Sequence, residues 1–373
     1  MNKSALQTPN VQTPARVLLL VRPATGGLRV HIIELLRRLD RKHFEPWLCA
    51  PANFTDEFPI GLLPYRGAIC PVSSRMSPID LLAILRLRRI LRSATRSAPA
   101  LVHAHGIRAA WIAALAQPLR RHPLIVTLHN VPPAGPIGAL VIRVLARSAA
   151  RIICVSKAIA GAVKAPQSVV IPNGVDLDRY DDLDRDEARR TLEIDPRRFV
   201  VAAVARLSHE KGIDVLARAA RELPDVEFIV AGDGPDRQAI EQLAPANMHL
   251  FGLVESILPI LAASDVVVVP SRSEGQGIIA LEALASARAV IASNVGGLPE
   301  MIRDETGLLV PPGDAEALAG AIARLRDDPA QRERLAKNGR EFSKTFGDAD
   351  QRTREIEAVY AQVLPHTALS KRA

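Results

Sequence analysis

The densest chemistry in this chain lies in the stretch Pro270-Ser-Arg-Ser-Glu274-Gly-Gln-Gly277-Ile-Ile-Ala-Leu-Glu282-Ala. A strand end, a Gly-x-Gly turn and a helix start follow one another, with one carboxylate just before the helix and another inside its first turns. The N–H groups of such a turn can hold a phosphate or a sugar hydroxyl, and each carboxylate can accept hydrogen bonds from two adjacent hydroxyls. A carboxylate near a helix N-terminus also stabilises the helix dipole, which accounts for Glu274 more plainly. Capping gives no reason for Glu282, eight residues on.

Arg206 ends the run that starts at Val200 and is followed by Leu207-Ser-His-Glu-Lys211-Gly212. Arginine offers a bidentate fork and lysine a point charge, so the pair would clamp a diphosphate; two solvated loop cations are the simpler alternative. Upstream, Arg22-Pro-Ala-Thr-Gly26-Gly27 opens a helix expected to reach about Leu39. Its glycines would let a backbone approach a phosphate, although a plain turn also explains the pair. Val230-Ala-Gly-Asp-Gly-Pro235 lacks the third glycine of a dinucleotide fingerprint and is not read as a nicotinamide site.

Asp184-Arg-Asp186 and Asp348-Ala-Asp350 have the spacing of a metal-binding pair, but both fall outside the loops that follow strands. They are read as residues at helix starts. His31, His103 and His105 are expected to be packing or acceptor contacts: His31 is inside a helix, and the other two are expected to point different ways after a strand.

The elements that must position these residues show as short aliphatic runs. In the first half they are Val17–Val21, Leu101–Ala104, Leu124–Leu128, Ile152–Val155 and Val169–Ile171; in the second, Val200–Val204, Val226–Val230, Met248–Phe251, Asp265–Val269 and Ala289–Ala292. Runs of Val and Ile bounded by Gly, Pro or Asn mark strands buried on both faces, hence parallel sheets covered by helices. The expected fold class is α/β, with two Rossmann-like domains and ligands at the carboxyl ends of the strands. The polar stretch Asn173–Arg198 is taken as their connection, the first 14 residues as a frayed tail, and a last helix at about Asp350–Leu364 as packing back across the junction.

A length of 373 residues suits two cores. With 48% hydrophobic and 24% charged residues, wholesale disorder is excluded. Cys49, Cys70 and Cys154 are odd in number and in no Cys-x-x-Cys spacing, so they are expected to be inert reduced thiols. Val17–Val21 is too short for a signal segment or a membrane span, and a cytoplasmic chain is expected.

The net charge of +8 hides a division. Up to Val170 there are 23 basic and 6 acidic residues, a net +17, and from Ile171 onward 25 basic and 34 acidic, a net −9. The basic half should face something anionic, unless the charge only serves solubility. Helical spacing over Pro78–Arg92 puts Ile79, Ile84, Leu87, Ile90 and Leu91 on one arc, and Arg86, Arg88, Arg89 and Arg92 on the other with Leu81, Leu82 and Leu85. A second helix, about Ile137–Arg151, carries Arg143, Arg147 and Arg151. Leucines set among arginines suit a helix lying peripherally on an anionic membrane, such as the inner face of the cell membrane, while solvated faces are the plainer account. Nucleic acid is not expected, because the basic half offers no aromatic stacking platform.

Taken in order, Pro172-Asn-Gly-Val-Asp176, Arg206-x4-Lys211, Gly232-Asp-Gly-Pro235, Asp265-Val-Val-Val-Val-Pro-Ser271, Glu274-x7-Glu282 and Gly307-Leu-Leu-Val-Pro-Pro-Gly-Asp314 resemble the retaining family-4 glycosyltransferases of the GT-B fold. The likeness is dense from about Pro172 to Arg326 and looser before, where Gly26-Gly27, His103-Ala-His-Gly106 and Thr127-Leu-His129 match.

The resemblance implies an acceptor-binding domain over 1–172, a nucleotide-sugar domain over 173–345, and a helix over 346–373 that crosses back. It implies Arg206 and Lys211 on the donor diphosphate and Glu274 on hydroxyls of the donor sugar. The backbone of Gly275, Gln276, Gly277 and Ile278 would surround the sugar and phosphate, Glu282 would bind the ribose, Gly26 and Gly27 would close over the phosphates, and His129 would line the sugar pocket. Gln276 departs from the apolar residue of many members and bears on that pocket's shape.

A hexose-type transfer from a UDP- or GDP-sugar to a lipid-linked or polysaccharide acceptor is thus implied, by same-face attack without metal, cofactor or covalent nucleophile. The competing expectations are a non-catalytic relic of the fold that binds membranes or nucleic acid, and a nucleotide-sugar epimerase.

Overall fold

The computed structural model describes residues 13–23, 26–52, 65–73, 77–96, 98–117, 122–133 and 135–364, so the expected N-terminal tail lies almost wholly outside the described residues. The first half holds β1 (Ala15–Leu20), α1 (Gly27–Arg38), β2 (Phe44–Ala50), β3 (Arg66–Ile69), α2 (Ile79–Ala94), β4 (Ala100–His105), α3 (Gly106–Ala116), β5 (Leu124–Leu128), α4 (Gly135–Ser148), β6 (Arg151–Cys154), α5 (Lys157–Val163) and β7 (Ser168–Val170). The second holds α6 (Arg185–Thr191), β8 (Phe199–Val204), α7 (Ile213–Arg221), β9 (Val226–Ala231), α8 (Arg237–Leu243), β10 (Met248–Gly252), α9 (Leu258–Ala263) and β11 (Val266–Val269). It continues with α10 (Ile278–Ala285), β12 (Ala289–Ser293), α11 (Leu298–Met301), β13 (Gly307–Val310), α12 (Ala315–Asp327), α13 (Pro329–Phe346) and α14 (Ala349–Val363).

The strands form two parallel sheets, ordered β3-β2-β1-β4-β5-β6-β7 and β10-β9-β8-β11-β12-β13. The α/β class with two Rossmann-like sheets is therefore as expected. Each order reverses once, between β1 and β4 and between β8 and β11, and a parallel sheet opens a crevice at such a reversal. In the second sheet, β8 and β11 pair only over Val201–Val266 and Ala202–Val267, leaving their carboxyl ends apart. The loops singled out by chemistry, after β1, β8 and β11, lie at these two reversals.

All ten aliphatic runs are strands, within a residue or two at their ends. The strands that pattern misses are β2, where Pro46 and Glu45 interrupt the apolar run, β3, an edge strand with exposed Arg66 and Gly67, and the short β13. Both faces of each sheet are covered. In the first, α2, α3 and α4 pack over one face while α1 and α14 cover the other. Tyr360 of α14 is fully buried among first-sheet residues, and its hydroxyl lies 2.7 Å from His103 Nδ1.

The stretch Asn173–Arg198 is more than a connection. It carries α6, whose Arg189 is 1% exposed, donates to the carbonyls of Ala263, Pro196 and Arg198, and pairs with Asp265 at 2.8 Å. Composition could not separate this buried arginine from its solvated neighbours. At the junction, Arg38 of α1 pairs with Glu34, with Asp176 at 3.1 Å and with Asp350 at 3.1 Å, joining both halves and α14.

Ile79, set on the arc away from the arginines, is 47% exposed at the start of α2. One expectation for the basic helices needs correction. Arg151 belongs to β6, since α4 stops at Ser148. Arg88 is also engaged: its guanidinium donates to Leu115 and Ala116 carbonyls at 3.0 and 3.2 Å, closing the end of α3. The three cysteines are free and buried, and burial pushes the Cys70 thiol up to about 12 and the Cys154 thiol up to about 11.

Candidate active site

The cleft between the sheets is built by helix starts. Gly26, at φ 65°, turns the chain into α1, and Gly277, at φ 89°, turns it into α10. L side chains avoid this backbone region, so glycine sets the start of both helices. The two starts face each other: a Cβ on Gly27 would lie 3.2 Å from Ile278 Cδ1. Unpaired N–H groups of an eight-residue and a twelve-residue helix thus meet in one place, which favours an anion.

Beside them, Lys211 Nζ donates to Glu274 Oε2 at 2.6 Å, and Ser271 Oγ donates to the same oxygen at 3.2 Å. The β8 loop and the β11 loop are joined by this pair. Gly212 makes the approach possible, since a Cβ there would sit 2.0 Å from the Pro270 carbonyl oxygen. Arg206 stays more open, 58% exposed and 3.9 Å from Glu210. Its charge reaches Arg22 of the β1 loop and helps depress the Arg22 guanidinium, after burial. Two cations therefore approach from the two sheets.

Glu282 is in the second turn of α10, 6% exposed, and accepts a hydrogen bond from Tyr180 Oη at 3.1 Å. Burial raises its carboxyl from 4.5 to about 7. The backbone of the turn at 275–277 is pressed against the other half: a Cβ on Gly275 would fall 1.8 Å from the His129 carbonyl oxygen. The nearby Ala158 N–H donates to Glu300 across the cleft at 3.1 Å.

Gln276 is held by Asn173 at the junction. Its side chain is 2% exposed and turned away from the cleft, accepting from the Asn173 N–H and Nδ2 at 2.6 and 2.7 Å and donating to the Asn173 carbonyl at 3.2 Å. A buried amide must satisfy several polar groups at once, and Asn173 at the junction offers them. The side chain therefore ties the turn at 275–277 to the end of the first half.

Sequence reasoning misjudged the histidines. His103 and His105 lie within β4, and residues two apart on a strand share a face. Their ring centroids are 4.1 Å apart. His103 is spent on Tyr360 and Thr127, at 2.7 and 2.6 Å, whereas His105 Nδ1 lies 3.2 Å from His129 Nε2. His31 of α1 completes the group, 5.0 Å from the His129 ring. Asp184 and Asp348 cap α6 and α14, accepting from the N–H groups of Glu187, Asp350 and Gln351.

Residues 25–179 match the family described as Glycosyltransferase Family 4, and residues 184–342 match glycosyl transferases group 1. The D-inositol 3-phosphate glycosyltransferase of Mycobacterium sp. (strain KMS) is 30% identical over 370 residues, covering 85% of this chain and 82% of that protein. The chain is a family-4 glycosyltransferase. A further relative of this family-4 enzyme, the alpha-D-kanosaminyltransferase of Streptomyces kanamyceticus, is 37% identical over 177 residues, 43% of this chain and 46% of that protein, so the match spans about half of it. Among solved structures, Anabaena Alr3699/HepE in complex with UDP-glucose superposes with a TM-score of 0.82 at 22% identity, over 93% of this chain and 99% of that one, which shows the GT-B fold. The family-4 assignment covers both sheets and the cleft they enclose.

Proposed function

We propose that this glycosyltransferase moves a hexose-type sugar from a UDP- or GDP-sugar to a lipid-linked or polysaccharide acceptor, with retention of anomeric configuration and without a metal ion. One observation carries it: Lys211 and Glu274 meet at 2.6 Å beside the facing starts of α1 and α10. Glu274 would accept hydrogen bonds from hydroxyls of the donor sugar. Lys211, Arg206 and the helix N–H groups would neutralise the leaving diphosphate, the part a divalent ion plays elsewhere. Glu282 would take the ribose hydroxyls and His129 would line the sugar. The leaving phosphate oxygen then accepts the acceptor's proton on the face from which it departs.

The acceptor class rests on the outer face of the first half. There Leu81, Leu82, Leu85, Leu115 and Leu140 are exposed over α2, α3 and α4, among exposed Arg86, Arg89, Arg92, Arg143 and Arg147. Such a face suits an anionic lipid leaflet and a role in cell-envelope glycan synthesis. Among the described residues no helix is long and apolar enough to cross a membrane.

Calorimetric titration with UDP and GDP, followed by donor-panel hydrolysis, tests the donor. Binding of neither nucleotide would favour a relic of the fold, and epimerisation of donor without acceptor would show a different reaction. Anomeric proton resonances of the product report retention or inversion. EDTA should leave transfer unchanged, and a complete loss restored by Mg²⁺ would refute metal independence.

A further inference from the structure

The first-half wall of the cleft holds four histidines, and the transfer reaction uses one of them. His103 is accounted for, because both ring nitrogens are hydrogen-bonded. His31, His105 and His129 remain, from the first turns of α1, the last residue of β4 and the residue after β5. One ring nitrogen from each lies within 4.8 Å of those of the others. His31 and His105 are 6% and 0% exposed, and Nε2 of each has no hydrogen-bond partner among the described residues. Imidazole ligates a metal through a ring nitrogen that carries no proton.

We propose that His31, His105 and His129 form a binding site for Zn²⁺ at the floor of the cleft. Two nitrogens on a tetrahedral zinc with bonds of about 2.0–2.1 Å stand about 3.3 Å apart. His105 Nδ1 and His129 Nε2 are 3.2 Å apart. The wider separations, which reach at most 4.8 Å, close to that value with shifts of up to about 1.5 Å shared among the side chains. His103, held by Tyr360 and Thr127, packs behind the His105 ring and fixes its orientation. Three imidazoles without a carboxylate select zinc, cobalt or nickel and leave Mg²⁺ and Ca²⁺ unbound, so this is not a site for a magnesium-assisted transfer. The Arg22 guanidinium near His129 opposes a dication and would draw an anion or water to the fourth position. If His129 lines the sugar pocket as proposed above, zinc held there inhibits transfer.

The test uses the full chain, stripped of metal and free of substrate, titrated with Co²⁺. One equivalent should bind with the intense visible bands of four-coordinate cobalt, which Zn²⁺ should displace. Competition with a chromophoric chelator gives the zinc affinity. His31→Phe keeps an aromatic ring without a ligating atom and should weaken zinc binding at least about a hundredfold, the upper end of the cost of losing an outer-shell partner. His249→Ala, at an exposed position on β10, should leave it unchanged. Circular dichroism checks that each variant folds; if His31→Phe does not, X-ray absorption of the cobalt-bound wild type must show three imidazole ligands. Absence of stoichiometric cobalt and zinc binding, equal zinc affinity in folded His31→Phe, or fewer than three imidazoles overturns the site. Stoichiometric zinc binding without inhibition supports the site and counts instead against His129 at the sugar.

Discussion

On the second-sheet side of the cleft stand the ionisable Lys211, Glu274 and Arg206, the first two paired with each other and the third open to solvent beside Glu210. On the first-sheet side the cleft is lined by His31, His105 and His129, kept neutral by burial. The first half nevertheless carries a net charge of +17, and much of that excess stands outside the cleft, including the arginines of α2 and α4. Total charge therefore says little about which groups line the cleft. What decides is where strand-end loops place a few groups, and much of the basic half's charge stands away from the cleft.

The contrast can be broken at four points. Glu274→Ala removes the carboxylate at the centre of the charged wall, and transfer should fall about a thousandfold, at the upper end of the loss for one preorganised polar group. Circular dichroism should be unchanged, since the lost contact is not in the core. Transfer at the wild-type rate with every donor would remove Glu274 from the site.

Glu282 is the buried exception on the charged wall. Its carboxyl near 7, against 4.5 when exposed, means that the folded enzyme binds a proton the unfolded chain has released. Stability from this group is full below about 4.5 and lost as pH rises through about 7. Glu282→Gln should abolish that loss, so its stability relative to wild type should rise by about 3 kcal/mol between acid and pH 8 in denaturant melts. A difference that does not change with pH would mean that Glu282 titrates alike in the folded and the unfolded chain.

The outward charge of the first half is tested on anionic vesicles at low and high salt. Replacing Arg86, Arg89 and Arg92 by Ser should weaken binding about a hundredfold, at about 1 kcal/mol per residue, and spare nucleotide affinity. Arg88→Ser should instead lower stability, because Arg88 closes α3. Wild-type protein that ignores vesicles even at low salt would point to a soluble acceptor.

The smallest effects separate the two cations. Lys211→Ala should weaken nucleoside diphosphate binding ten- to hundredfold, the cost of about 1.5–3 kcal/mol for one charged hydrogen bond, and leave nucleoside binding nearly unchanged. Arg206→Ala should cost less, since Arg206 is 58% exposed and water screens its charge. Equal losses for nucleoside and diphosphate would contradict a phosphate clamp.

Much of this was legible in the sequence for a physical reason. Strands buried on both faces are written as unbroken Val and Ile runs, and strand-end loops carry glycines where helices begin. The Arg206, Lys211, Glu274 and Glu282 positions follow from those landmarks. What escaped depends on contacts between distant segments. Gln276 looked like a pocket residue until Asn173, about a hundred positions earlier, was seen to occupy its amide. Arg189 resembled its solvated neighbours until Asp265 was found beside it. The histidine group failed on register, because His103 and His105 share a face of β4.

The helix that carries Tyr360 bears on the order in which the protein matures on the ribosome. Residues of β1, β2 and β4 emerge early, yet the sheet face they share with Ile356, Val359 and Tyr360 is covered only in part, by α1, until α14 leaves the exit tunnel. The second sheet has by then all its strands available. The half synthesised first is therefore the half finished last, and the nascent chain must keep an apolar sheet face from strangers for most of its synthesis.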